Sequence, residues 1–245
     1  MERVEKISTG SFDLNKWLYG GYEKEVITMI AGPPGSGKTN FTILASCSQA
    51  KHGNKVIFVD TEGGFSIERV KQIVGIENLD AILSNIILLA PVSFEEQKKA
   101  FETLLLKLKK EQVGLIVIDG MAMLYRLELG DAINLKEDSK IKQVNREVAR
   151  QMRTLAEIAR KDNIPVLITN QVYERFVSEE EWKKGIKGET NIVGGDLFKY
   201  WSKCIIELKN ENGKRKAILQ KHRSLQEKEL DFEIRNLGIF KRGWI

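Results

Sequence analysis

The chain has 245 residues, with 39 Lys+Arg against 34 Asp+Glu, a formal net charge of +5, 42% apolar side chains and four prolines. That length suits one α/β domain with no long appended domain, and scarce Pro with no Ser-, Gln- or Pro-rich stretch excludes a disordered chain. The start, MERVEKISTG, carries four charges in six residues, and the longest apolar runs, IILLAPV and LIVI, fall far short of a bilayer span, so a cytoplasmic protein with no membrane contact is expected.

In chain order, short β-branched runs alternate with longer amphipathic stretches, the pattern of successive βα units on a parallel sheet. The strand readings are EVITMIA (25–31), KVIFVD (55–60), NIILLA (85–90), GLIVID (114–119) and PVLITN (165–170). Their nearly continuous apolar character implies that both faces are covered. Helical periodicity is clearest over 93–111, with Phe94, Phe101, Leu104, Leu105 and Leu108 on one face, and over 143–161. After residue 200 the pattern changes to KCIIELK and RKAILQK around Asn-Glu-Asn-Gly, read as a hairpin, followed by ELDFEIR as an edge strand.

The first of these strands runs directly into GPPGSGKT, residues 32–39, which then opens a helix. Gly32, Gly35 and Gly37 let the backbone curl so that amide N–H groups face phosphate oxygens, and the helix N-terminus adds its positive end. Lys38 would reach the β- and γ-phosphates and Thr39 would ligate Mg²⁺, so ATP and Mg²⁺ are the expected cofactors. The cradle comprises Gly32, Pro33, Pro34, Gly35, Ser36, Gly37, Lys38, Thr39 and the adjoining Asn40. Asp119, ending GLIVID, fits the second metal position, although by itself such an Asp is often only a turn residue. Asp60 and Glu62 follow the second strand, and a Glu there can deprotonate an attacking water. The following Gly63-Gly64 would equally suit a plain turn.

Two compositional features complete the reading. Cys47 and Cys204 have no His or second Cys at ligand spacing and read as buried thiols. Residues 1–198 carry 27 basic and 28 acidic side chains, whereas 199–245 carry 12 and 6, so the positive excess lies at the C-terminal end. Such a segment is either a solvated face or a phosphate-contacting surface.

The blocks STGSFDLNKWLYGGYEKEVITMIAGPPGSGKTNF, VDTEGGFSIERV, LIVIDGMAMLYR, IPVLITNQV and IVGGDLFKYW occur in this order and cover nearly the whole chain. Together they resemble the ATPase core of the RecA/RadA recombinase superfamily, and within it a short archaeal core-only paralogue. The resemblance implies an α/β, RecA-like P-loop NTPase core with a mostly parallel central sheet flanked by helices and C-terminal antiparallel strands. It implies a single domain over 1–245 without the N-terminal helix-hairpin-helix domain of RadA-type recombinases. Those recombinases also carry a Phe-x-x-Ala segment used in polymerisation; none of the ten Phe residues here has Ala three positions on.

Carried over by position, the resemblance makes Glu62 the water-activating carboxylate and Arg69 the guanidinium against adenine. Gln171 becomes the γ-phosphate sensor coupled to the second DNA-binding loop. Arg126 would begin the first loop, over 127–142, and 172–193 would form the second. In the second loop Lys183, Lys184 and Lys187 would attract phosphates, against Glu174, Glu179, Glu180 and Glu181. Phe176 and Trp182 would either stack on bases or return to the core. Lys199, Lys203, Lys214, Arg215 and Lys216 offer a second basic patch. The Asp and Pro with which RadA-type recombinases cap a neighbour's ATP are missing from LQKHRSLQEKE. Lys221 and Arg223 there resemble instead the Lys-x-Arg pair that related hexameric ATPases insert across an interface, or else are two exposed strand-end cations. The implied function is that of an ATP-binding, DNA-binding mediator or regulator of recombination and repair, with weak ATPase activity and salt-sensitive binding to single-stranded or branched DNA. Implied partners are a RadA-type recombinase, a Holliday junction resolvase or both, with room for a homodimer. Alternatives are an active DNA-dependent strand-exchange ATPase and a clock-type signalling ATPase that does not act on DNA.

Overall fold

The structure is a computed structural model and describes residues 4–174 and 190–243. Its strands are β1 (Lys6–Ile7), β2 (Tyr22–Glu23), β3 (Ile27–Gly32), β4 (Lys55–Asp60), β5 (Ile86–Leu89), β6 (Val113–Asp119), β7 (Val166–Glu174), β8 (Thr190–Ile192), β9 (Ser202–Glu211), β10 (Lys214–Lys221), β11 (Lys228–Arg235) and β12 (Gly238–Lys241). The helices are α1 (Phe12–Trp17), α2 (Lys38–Lys51), α3 (Ile67–Val74), α4 (Leu79–Leu83), α5 (Phe94–Leu108), α6 (Met123–Asn134), α7 (Asp138–Lys161) and α8 (Asp196–Trp201). The main sheet has the order β12-β11-β10-β9-β3-β7-β6-β4-β5, with β8 paired to β7. From β9 to β5 neighbouring strands are parallel; from β9 to β12 they are antiparallel.

The central strands are apolar on both sides because both sides are covered. Met29, Ile57, Ile116 and Ile168 face one core together with α5, α7 and Phe198. Ile30, Phe58, Val117 and Leu167 face the other with α2 and the N-terminal segment. Fully burying a large apolar side chain contributes about 1.5–3 kcal/mol, and Phe41 of α2 adds an edge-on contact with Phe232 of β11 at 5.3 Å. That contact fastens the antiparallel extension to the helix that follows the P-loop. Cys47 and Cys204 are buried free thiols, as expected from their spacing.

Several elements differ from the sequence expectation, each for a local reason. Residues 127–142 are mostly helical: α6 continues to Asn134 and α7 begins at Asp138. Gly130 lowers intrinsic helix preference there, but burial of Leu124, Tyr125 and Ala132, the Tyr125 hydroxyl donating to Asn145 Oδ1 at 2.7 Å, and the Lys140–Glu128 ion pair at 3.0 Å override it. In α5 the buried face is Phe94, Gln97, Ala100, Phe101 and Leu104, while Leu105 is 41% exposed, one step of roughly 100° around the helix. ELDFEIR forms β11 but is not the edge: the Asn236-Leu237 turn returns the chain as β12, whose Ile239 is buried. Among the described residues no helix is long and apolar enough to cross a membrane.

Candidate functional site

The P-loop lies where β3 ends against β9 and α2 begins, and its glycines are required by space as well as by torsion. A Cβ on Gly32 would come within 2.6 Å of Ser36 Oγ and 2.8 Å of the Leu208 carbonyl oxygen. Gly37, the residue before α2, has φ +106°, and a Cβ there would meet Ile234 of β11 at 2.6 Å. Lys38 Nζ folds back onto the loop, donating to the carbonyls of Gly32 at 3.0 Å and Pro33 at 3.1 Å. Burial holds its pKa below the ordinary lysine value, opposed by the charges of Glu62 and Asp119. Ser36 is fully buried and its Oγ has no hydrogen-bond partner among the described residues. An orphaned hydroxyl inside a ring of curled amides fits a phosphate oxygen.

Asp119 closes the site from β6. Its Oδ2 accepts from Thr39 Oγ1 at 2.8 Å and its Oδ1 from Thr169 Oγ1 at 2.6 Å. Burial raises its pKa, partly offset by those two hydroxyls. Thr169 also accepts from the Gly120 amide at 2.7 Å, so one hydroxyl orients both the carboxylate and the turn after it. Among the described residues no cluster of three or more His, Cys, Asp or Glu side chains could hold a metal by itself. The Thr39–Asp119 pair suits Mg²⁺ chemistry, in which one or two protein oxygens are completed by phosphate and water. Gly64 stands over this pair; a Cβ there would lie 3.2 Å from Thr39 Oγ1.

The loop after β4 is held by Asp60, whose carboxylate accepts from the amides of Glu62 at 3.2 Å, Gly64 at 3.1 Å and Phe65 at 2.8 Å. Glu62 Oε1 accepts from Gln171 Nε2 at 3.2 Å, and Arg126 lines the same crevice. The Gln171 backbone amide donates to Asn170 Oδ1 at 2.9 Å, and Asn170 Nδ2 donates to the Val193 carbonyl at 2.8 Å. Asn170 thereby ties β7 to the segment after β8. Asp60, Thr169 and Asn170 are positioning groups that were not among the expected site residues. Thr169 and Asn170 had no signal beyond lying in PVLITN, because their roles depend on strand adjacency.

Arg69 has its guanidinium held on four sides. It donates to Asn40 Oδ1 at 2.7 Å, Gln72 Oε1 at 2.9 Å, and the carbonyls of Asn236 at 2.9 Å and Arg235 at 3.0 Å. The group expected against adenine is therefore fixed by α2, α3 and the β11–β12 turn together.

The remaining cations are dispersed. Lys183, Lys184 and Lys187, with Phe176 and Trp182, lie outside the described residues. Lys199 and Lys203 sit at the end of α8 and the start of β9. Of the hairpin cations, Lys214 is exposed, Lys216 pairs with Glu229 at 2.6 Å, and Arg215 is half-buried with its Nε lacking a partner among the described residues. Arg215 lies level with Phe232, on the face covered by α2, so these three do not share one surface. Lys221 Nζ donates to the Lys199 carbonyl at 2.8 Å, and Arg223 Nε donates to the buried Glu23 carboxylate at 2.5 Å.

With that geometry in view, the comparisons are specific. The family model described as Rad51 matches residues 1–242. A protein described as "DNA repair and recombination protein RadB" from Methanococcus maripaludis (strain C7) is 44% identical over 227 residues, 92% of this chain and 96% of that protein. One of the same description from Methanobrevibacter smithii is 42% identical over 243 residues, 97% of each chain. A solved structure described as "Crystal structure of the RadB recombinase" superposes with a TM-score of 0.74 at 34% identity, covering 97% of this chain and all of that one.

Proposed function

The chain belongs to the Rad51 family, in its RadB group, and from that premise we propose that it is an ATP-binding, DNA-binding protein of recombination and repair that assists or controls a main recombinase and hydrolyses ATP weakly. The observation that carries the reading is the joined constellation of Lys38, Thr39, Asp119, Glu62 and Gln171 at the carboxyl ends of β3, β6, β4 and β7, where ligands lie in open α/β sheets.

In this reading the P-loop amides, Ser36 and Lys38 hold the phosphates, and Lys38 leaves its two carbonyl acceptors to do so. Thr39 and Asp119 hold Mg²⁺, which when bound supplies positive charge to the β- and γ-phosphate oxygens. Arg69 presents its fixed guanidinium plane to adenine. Glu62 takes the proton of the attacking water, and Gln171 orients that carboxylate while standing at the start of the proposed second DNA-binding loop.

The positions of the C-terminal cations support the reading of weak hydrolysis. A guanidinium supplied in trans contributes about 10³–10⁵ in rate, but Arg223 is engaged by Glu23 and Lys221 by Lys199 of the same chain. The mediator role over strand exchange rests on the lack of any Phe-x-x-Ala in the sequence and on the acidic start of residues 172–193. A RadA-type recombinase, a junction resolvase or both are the proposed protein partners.

The test is ATP hydrolysis by the purified full chain with and without single-stranded DNA. The expected outcome is slow hydrolysis, stimulated little, together with DNA binding that weakens as salt rises. Many-fold stimulation would restore the strand-exchange reading. No binding to single-stranded or branched DNA at low salt would favour a signalling ATPase.

A further inference from the structure

At the opposite end of β3 from the P-loop lies a cleft of about 640 Å³. Six strand residues at roughly 3.3 Å each place it about 20 Å from the phosphate cradle, so both could be occupied at once. Its floor is apolar, formed by Val26 and Ile27, both buried, and Ala156 of α7. One wall is the last part of α7, where Arg153 pairs with Glu157 at 2.8 Å. Arg160, one turn on, is exposed and has no hydrogen-bond or ion-pair partner among the described residues. The other wall is the end of α8 and the start of β9, with Tyr200, Trp201 and Lys203.

These aromatic groups are unusual for a surface. Tyr200 is 68% exposed, yet its ring is held edge-on by Trp201 at 5.3 Å and lies under Lys203 Nζ, 5.3 Å from the ring centroid. Among the described residues Lys203 itself donates only to the Tyr200 carbonyl, at 3.1 Å, and pairs with no carboxylate. It lies close enough to Lys221 that the two charges repel, which helps hold the Lys221 pKa below the ordinary lysine value, behind burial as the larger cause. Of the four cations lining the cleft, Arg153 is paired with Glu157 and Arg223 with Glu23, which leaves Arg160 and Lys203 without a carboxylate partner among the described residues, with Glu25 at the rim. A rigid π-surface with unpaired cations around an apolar floor suits a ligand that is flat, apolar on its faces and negatively charged along its length. Unstacked bases joined by phosphates meet that description; a duplex, whose bases are stacked inside, does not.

We propose that this cleft binds single-stranded nucleic acid, with one unstacked base on the exposed Tyr200 ring, which Trp201 holds edge-on, and the adjoining phosphates on Arg160 and Lys203. It rests on the reading that the protein binds DNA, but it assigns the contact to a surface separate from residues 172–193. The chain leaving that segment enters α8, whose end forms the cleft wall together with the start of β9.

The experiment is anisotropy of a labelled oligo-dT strand with the full-length protein at low salt. Tyr200→Ala should weaken binding by about 10-fold, within the range of one lost base stack, while Tyr200→Phe should bind like wild type. Arg160→Ala combined with Lys203→Ala should weaken binding and lower the salt slope by about 1.4, at ~0.7 per single-strand phosphate contact. ATP affinity should stay unchanged in all three variants. Wild-type protein that fails to bind at low salt overturns the DNA reading and the cleft together. Normal wild-type binding with unchanged variants overturns the cleft alone. A loss in Tyr200→Phe equal to that in Tyr200→Ala overturns base stacking.

Discussion

Gln171 Nε2 donates to Glu62 Oε1 across 3.2 Å, joining the strand that leads into residues 175–189 to the carboxylate at the end of β4. The contact gives a physical route by which a displacement of Gln171 would alter the carboxylate proposed as the proton acceptor. Glu62→Gln keeps shape and hydrogen-bonding capacity but cannot accept a proton. Its hydrolysis should fall by about 10²-fold or more, with ATP affinity close to wild type. Gln171→Ala should leave basal hydrolysis within about 10-fold of wild type and abolish any effect of DNA on it. Single-turnover hydrolysis with and without oligonucleotide reads both outcomes.

Lys38 is a buried cation whose partners in the chain are two carbonyls. Lys38→Ala removes the charge that ATP phosphates would meet while leaving α2 and its buried Phe41, Ile43 and Leu44 intact. ATP at 100 times its Kd should stabilise the wild type by about 2.7 kcal/mol, and the variant should show no such shift. A normal ATP-induced rise in Tm in Lys38→Ala contradicts the cradle assignment.

Thr169 serves two groups, Asp119 Oδ1 and the Gly120 amide, that have no other partner among the described residues. Thr169→Val keeps the volume but strips Asp119 Oδ1 and the Gly120 amide of their partner. Leaving buried polar groups unsatisfied costs about 1–3 kcal/mol each. The variant should lose roughly 2 kcal/mol and melt about 4–8 °C lower. Mg²⁺-dependent ATP binding should weaken in parallel, and a variant with unchanged Tm and Mg²⁺ response would show that Asp119 is oriented otherwise.

His222 supplies the pH dependence. Its side chain is 3% exposed, 3.5 Å from the Glu23 carboxylate. Burial outweighs that carboxylate and holds its pKa below the ordinary 6.5, with Lys6, Arg223 and Lys228 adding to the repulsion. A histidine with a lowered folded-state pKa is protonated more readily when unfolded. Stability is therefore full above about pH 6.5 and is lost as pH falls toward the folded value. Denaturation midpoints from pH 7.5 to 5 should fall in the wild type and fall less in His222→Gln. Equal slopes would exclude His222 as the group responsible.

How much of this was legible beforehand differs by element. The P-loop was readable because its function requires a contiguous run of small residues, one Lys and one Thr, and a strand and helix on either side. The positions of Asp119 and Glu62 were readable because Asp119 ends one apolar strand and Glu62 lies two residues beyond another, where open sheets place ligands. The helical course of 127–142 was not, since Gly130 and the charged residues around it obscure the period that packing of Leu124, Tyr125 and Ala132 enforces. The outer place of β12 was missed because four residues after a two-residue turn give little periodicity to read.

The amino-acid order alone thus determined the nucleotide cradle, the alternation of strands and helices, and the basic C-terminal end, all properties carried by neighbours in sequence. Tertiary structure decided what depends on distant neighbours: that Thr169 orients Asp119, that Glu62 meets Gln171 across 109 positions, and that Arg69 is gripped by the β11–β12 turn. It also divided the basic end. Alternation along β10 puts Arg215 on the α2 face and Lys216 on the other, while Lys221 and Arg223 are bound within the chain. Net charge is a sum over residues, but a surface is made by the directions in which a pleated strand sends them.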